Sequence, residues 1–214
     1  MIKSKEWNWA EVRDDFWSTP SEDVYYYASR WKEKGFKYFL DLGCGLGRHS
    51  VFFAENGFET YSLDLSEDGI NNLNRKAEKL GLNIRTTIGD INNLPYSSDM
   101  FDCLLAYHVI SHTDTEGIKA IVKELERVLK SGGEFFITLC SKCSPSFSRK
   151  DYIRIDENTI IKTEEPEIDV PHFYTDLDGV RSILKNFDII RIRHIEDIFN
   201  DSNSWHYFVH GKKK

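Results

Sequence analysis

The stretch from Phe39 to Arg48, FLDLGCGLGR, constrains the fold of this 214-residue chain more than any other. An apolar run ends at Asp41, and Gly43, Gly45 and Gly47 follow at every second position before a helical pattern begins. A strand, a glycine turn and a helix start bring backbone N–H groups and the positive end of a helix dipole against a polar or anionic ligand. A second apolar run closes on Asp64, where a carboxylate can accept hydrogen bonds from both hydroxyls of a ribose. The pattern is that of a nucleotide-type site in a βα unit.

Spacing narrows the ligand. The dinucleotide fingerprint G-x-G-x-x-G needs a third glycine for close helix–strand packing, and Arg48 stands there instead. Asp41, two residues before Gly43, would repel a pyrophosphate but suits a cationic ammonium. S-adenosylmethionine has that ammonium, a ribose and no phosphate. Asp41 followed by GxGxG resembles the first motif of the class I S-adenosylmethionine-dependent methyltransferases. The resemblance continues in order along the chain. Asp64 after FETYSL is similar to that family's ribose-binding acid, and Gly89-Asp90-Ile91 after NIRTTI to its adenine-contacting acid. FDCLLAYHVISH resembles the fourth strand and the turn lining the methionine part, and ERVLKSGGEFFITL the helix, turn and fifth strand that follow. The match runs from Phe36 to Leu139. It implies S-adenosylmethionine as cofactor, held by Asp41, Gly43, Gly45, Gly47, Asp64, Leu65, Asp90, Ile91 and Tyr107, and in-line methyl transfer as the reaction. Two alternatives stay open: a nicotinamide-dependent oxidoreductase, and a catalytically silent S-adenosylmethionine-binding protein.

The periodicities predict a doubly wound α/β fold. Thr19-Pro20-Ser21-Glu22 reads as a capping box with proline at the first helical position, and Val24, Tyr27, Ala28 and Trp31 repeat at helical spacing after it. Ser66 caps a second helix, and Thr113 with Glu116 caps another. Strands over 36–41, 58–63, 84–88, 102–107 and 134–140 alternate with helices. Such alternation gives a mostly parallel sheet covered on both faces, with the ligand at the carboxyl ends of the strands. A helix over Thr175–Leu184, capped by Thr175, precedes DIIRIRHIED and WHYFVHG, two strands joined by the polar turn Asn200–Ser204 and therefore antiparallel. The resemblance implies seven strands with the last one antiparallel. One domain spans 1–214: a helical cap over 1–34, the cofactor-binding core over 36–140, an insertion over 141–174 that could serve as a substrate lid, and the terminal helix and hairpin over 175–214.

Composition limits the partners. A net charge of −7 argues against a nucleic-acid backbone. Nucleic-acid amino methyltransferases of the resembled family carry Asn/Asp-Pro-Pro-aromatic after the fourth strand, whereas this chain has Ala106-Tyr107-His108-Val109. The acceptor expected is a small molecule. No apolar run is long enough to span a membrane, the N-terminus lacks a signal-peptide core, and four cysteines make no secreted disulfide framework. A cytoplasmic protein is expected, with Lys212-Lys213-Lys214 as a solvated tail.

The remaining chemistry-bearing residues divide between two readings. Cys140-Ser-Lys-Cys143 lacks a second ligand pair, and no His/Asp/Glu run has metal-ligand spacing, so no metal is expected. Methyl transfer from a sulfonium needs orientation and water exclusion, and needs a base only if the acceptor carries a proton. His108 and His112 follow the fourth strand and serve either as walls or, for His108, as a catalytic candidate. His194, His206 and His210 look structural or exposed. Trp17 and Tyr27, among many aromatic residues in 1–34, are substrate-facing candidates or plain core cover. Pro171-His172-Phe173-Tyr174 either brings His172 and Tyr174 to the acceptor as binding or catalytic groups, or anchors a loop through Phe173 with the polar rings in solvent.

Overall fold

The computed structural model describes Lys5, Trp7, Trp9 and residues 18–163, 167–198 and 203–214. Five parallel strands form the centre: β1 (Tyr38–Leu42), β2 (Glu59–Asp64), β3 (Ile84–Ile88), β4 (Phe101–Ala106) and β5 (Leu129–Ser141), in the order β3-β2-β1-β4-β5. The hairpin of β9 (Phe187–Ile198) and β10 (Asn203–Lys213) adds β10 antiparallel to β5, with β9 outside it. These seven strands are the sheet the sequence implies, including its antiparallel last strand. Of the polar turn expected over Asn200–Ser204, residues 200–202 lie outside the described residues, and Asn203 and Ser204 already belong to β10.

Period-2 alternation assigns the two faces. Phe39, Leu105, Phe136 and Phe208 pack toward Tyr27 and Trp31 of α1 (Glu22–Glu33) and Phe53 of α2 (Arg48–Glu55). Leu40, Leu104, Phe135 and Ile137 pack toward Ile118, Ile121 and Leu125 of α4 (Thr115–Val128) and Val180 of α5 (Leu177–Ile183). Helix α3 (Glu67–Leu80) follows β2 and buries Ile70, Leu73 and Ala77. Among the described residues no helix is long and apolar enough to cross a membrane.

One ionic cluster pins α1 to the sheet. Glu134 of β5 is fully buried and accepts from Arg30 Nε and Nη2 (2.8 Å each), Trp31 Nε1 (3.0 Å) and Lys34 Nζ (2.6 Å), with His210 Nε2 at 3.0 Å. Burial alone would raise its carboxyl, but the Arg30, His210 and Lys34 hydrogen bonds outweigh that and hold it well below the usual carboxylate range. Within the 1–34 cap, α1 is therefore part of the core, and most of the chain ahead of it lies outside the described residues.

Three helix starts lie later than the sequence suggests. Ser21, not Thr19, is the N-cap of α1, so Pro20 precedes the cap. Asp114 and Asp176 replace Thr113 and Thr175 as caps of α4 and α5, because each carboxylate reaches the N–H of a glycine three residues on: Gly117 at 2.7 Å and Gly179 at 2.8 Å. Ser66 caps α3 as expected. The terminal lysines are not a loose tail: Lys212 and Lys213 belong to β10, and Lys213 pairs with Asp99 at 2.7 Å.

The insertion is more ordered than its polarity suggests. It forms β6 (Ile153–Arg154), β7 (Thr159–Ile161) and β8 (Pro171–Thr175), with β6–β7 and β7–β8 antiparallel. Strand β4 stops opposite Ile137 of β5, and β8 pairs parallel with β5 further on, at Cys140 and Ser141. This small sheet continues the main one past the carboxyl ends of its strands.

Candidate functional site

The glycine loop is held by the strand beside it. Gly43 and Cys44 donate to the Leu63 carbonyl (2.8 and 3.1 Å), and Gly47 donates to Cys44 O (2.8 Å). Gly45 N–H donates to Asp64 Oδ2 and Ser66 N–H to Asp64 Oδ1, each at 2.8 Å. Gly43, Gly45 and Gly47 have φ of +65°, +51° and +80°, where side chains are disfavoured. A Cβ on Gly45 would also overlap the Trp9 indole, and one on Gly47 would overlap Leu73.

Above this loop lies a cavity of about 910 Å³, near the upper end of the roughly 300–1,000 Å³ of small-molecule sites. Gly43, Asp64, Leu65, Asp90, Ile91 and Tyr107 line it. Asp90 Oδ1 accepts from Asn92 N (2.9 Å) and Nδ2 (2.8 Å). Gly45 and Gly47 shape the loop without lining the cavity. Asp41 departs furthest from expectation. It lies on the sheet face covered by α2, where Ser50 Oγ donates to Asp41 Oδ2 at 2.6 Å, and it does not line the cavity. Burial pushes its carboxyl up to about 7. Its carboxylate meets Ser50 beneath the loop.

The far end of the cavity is a chamber of imidazoles and phenols. His108 follows β4 with φ +54°, its N–H donating to Thr138 Oγ1 at 2.6 Å. Such a backbone is strained for a residue other than glycine. The His108 ring meets His206 edge-on at 4.5 Å. Burial, then His206, hold His108 far below its ordinary value, which makes it a weak proton acceptor. Burial lowers His112 to about 3, and burial with Arg48 lowers His49 to about 3. His206 goes the other way. Burial opposes its charge, but Asp197, 3.7 Å away, and Cys140 outweigh this and raise it to about 9.

Strand β8 resolves the two readings of Pro171–Tyr174 by alternation. Phe173 enters the main core, as the anchoring reading requires. His172 and Tyr174, on the other face of the strand, line the cavity and are both about 2% exposed, so neither ring is in solvent. Tyr174 Oη is 2.9 Å from Ser146 Oγ, and burial raises its hydroxyl far above the ordinary phenol value. Tyr27 takes the core-cover place: it is buried, stacked on Phe136 at 4.2 Å, and absent from the cavity wall. Trp17 lies outside the described residues.

Two of the N-terminal aromatic residues stand on the wall: Trp7 stacks on His112 at 5.9 Å with 10° between planes, and Trp9 lies over Gly45. Sequence reasoning missed other wall residues. His206 faces the cavity from β10, opposite Cys140 in register, whereas the sequence suggested a structural or exposed residue. His49, accepting from Ser21 N–H at 3.2 Å, is another. Glu167, His112 and His172 also come together, a His/Glu cluster that linear spacing did not reveal. The CxxC cysteines are free thiols, Cys140 on the cavity wall and Cys143 exposed.

Comparison with known proteins agrees with this geometry. Residues 39–133 match the family described as "Methyltransferase domain". Haemophilus influenzae TehB is 34% identical over 94 residues, covering 44% of this chain and 32% of TehB. A sarcosine/dimethylglycine N-methyltransferase from Aphanothece halophytica is 28% identical over 145 residues, covering 62% of this chain and 51% of that one. The chain thus spans about a third to a half of the length of these curated relatives. The crystal structure of a methyltransferase from Methanosarcina mazei superposes with a TM-score of 0.75 at 20% identity, covering 91% of this chain and 98% of its own. Residues 39–133 thus match a methyltransferase-domain family, and the fold is the one seen in the solved S-adenosylmethionine-dependent methyltransferase.

Proposed function

We propose that the chain transfers the methyl group of S-adenosylmethionine to a small-molecule acceptor bound in the same cavity. The observation that carries this reading is the continuity of that cavity, from Asp64 and Asp90 at one end to His108, His172 and Tyr174 at the other. Asp64 accepts from the Gly45 and Ser66 N–H groups, which aims its carboxylate at the cavity where a ribose hydroxyl would lie. Asp90 and Ile91 suit the adenine, Leu65 the nucleoside beside it, and Gly43 with Tyr107 the methionine part. Gly45 and Gly47 act by loop shape, and Asp41 by supporting the loop through Ser50. Trp7 and Trp9 cover the cavity and exclude water from the sulfonium, which favours in-line displacement by holding the reactants in orientation. His172 and Tyr174 bind the acceptor. His108 forms the wall between acceptor and cofactor rather than the base, since its imidazole holds a proton so weakly. Likeness to a methyltransferase named for sarcosine and dimethylglycine supports a small acceptor.

Calorimetry on the purified chain tests the cofactor: micromolar binding of S-adenosylmethionine and S-adenosylhomocysteine is expected, and none of NAD. NAD binding without S-adenosylmethionine binding would turn the reading to an oxidoreductase. A small-molecule acceptor screen that follows S-adenosylhomocysteine release then separates an enzyme from a silent binder.

A further inference from the structure

His112, Glu167 and His172 come from three separate segments: the turn after β4, the loop before β8, and β8 itself. One ligand atom from each lies within 4.8 Å of the other two. The hydrogen bonds of His172 restrict what can sit among them. Its Nδ1 is 2.9 Å from the Val170 carbonyl, which can only accept, so Nδ1 carries a proton. Its Nε2 is 3.0 Å from Glu167 Oε1, and a carboxylate is also an acceptor. Nε2 and Oε1 therefore face each other as two potential donor atoms, and His112, whose ring meets His172 edge-on at 4.9 Å, supplies the third.

We infer that His112, Glu167 and His172 form a binding site for a divalent transition-metal ion, of the kind two imidazoles and one carboxylate hold, with zinc as the reference ion. The surroundings are those such ligands need. Val170 O fixes the tautomer and ring plane of His172, and Lys162 pairs with Glu167 Oε2, leaving Oε1 for the ion. Trp7 stacked on His112 supplies an apolar cover. All three residues lie on the cavity wall, so the open coordination positions face the chamber. If the methyltransferase reading holds, those positions take an oxygen or sulfur donor of the acceptor and orient its lone pair toward the methyl group.

The test uses the full chain, stripped with chelator and titrated with Zn²⁺ or Co²⁺ alone, with no cofactor or acceptor. A negative result would therefore leave the methyltransferase reading standing. One equivalent should bind. His112→Gln, Glu167→Gln and His172→Gln should each weaken binding by more than about a hundredfold, beyond the loss of an outer partner. The Cys140→Ser/Cys143→Ser variant should keep it. X-ray absorption on the zinc-loaded parent needs no variant to fold, and should show only nitrogen and oxygen neighbours near about 2.0–2.1 Å. Failure to bind one equivalent, sulfur neighbours near about 2.3 Å, or binding that survives all three glutamine substitutions would overturn the site. Loss of binding in the cysteine variant would do the same.

Discussion

The two ends of the cavity are built by different means. At the cofactor end, Gly43, Asp64, Leu65, Asp90 and Ile91 each lie at or within three residues of the carboxyl end of β1, β2 or β3, and much of the shape comes from backbone. At the other end, the proposed acceptor site, His112, Glu167, His172, Tyr174 and His206 come from the β4 turn, the insertion, β8 and β10, and present side chains. A backbone cradle can be encoded by a short run with the right glycines. A side-chain chamber requires distant segments to meet, so its composition can change while the cradle stays the same. The first end therefore carries the mark of a cofactor class, and in the proposed function the second selects the acceptor.

Substitutions can break that contrast, and the largest effect should come from outside both ends. Glu134→Ala leaves Arg30, Lys34 and His210 around an emptied site, and loss of one partner of a buried ion pair costs about 3–5 kcal/mol. Urea unfolding should show that loss near neutral pH. The Glu134 carboxyl is held below its ordinary 4.5, so its contribution is complete above that value and disappears as the pH falls through the folded value. The gap between parent and variant should therefore close in acid; a gap that persists undiminished would mean the carboxylate charge is not its source.

Asp64→Ala should come next and act only at the cofactor end. Losing a charged acceptor for ribose hydroxyls costs about 1.5–3 kcal/mol, or roughly a tenfold to hundredfold weaker S-adenosylmethionine affinity by calorimetry. The Gly45 and Ser66 N–H groups lose their acceptor in the same variant, which places the expectation toward the upper end. Unchanged affinity would show that the ribose is held elsewhere. The smallest effect belongs to Tyr174→Phe, which removes a hydroxyl 2.9 Å from Ser146 Oγ, worth about 0.5–1.5 kcal/mol. Once an acceptor is known, its KM should rise or kcat fall by up to about tenfold, with cofactor affinity unchanged. An equal loss of cofactor affinity would mean that the two ends are not separable.

What the sequence determined by itself was everything carried by local period and spacing. Alternating apolar residues separated by glycines specified the strands and their order of βα units, and GxGxG with Asp64 and Asp90 marked the cofactor end, because each of those groups sits at the end of its own strand. The tertiary structure decided the rest. Asp41 turns under the loop because its side chain lies on the sheet face shared with α2, where Ser50 meets it. Tyr27 is core because α1 docks through the buried Glu134. The Thr-Asp pairs cap one residue late because the Asp carboxylate reaches the N–H three residues on. His112, Glu167 and His172 are 55 and 5 positions apart in sequence (167 − 112 and 172 − 167) and meet only because β8 pairs with β5 beyond the end of β4. No local pattern encodes such a meeting; the packing of the insertion onto the sheet produces it.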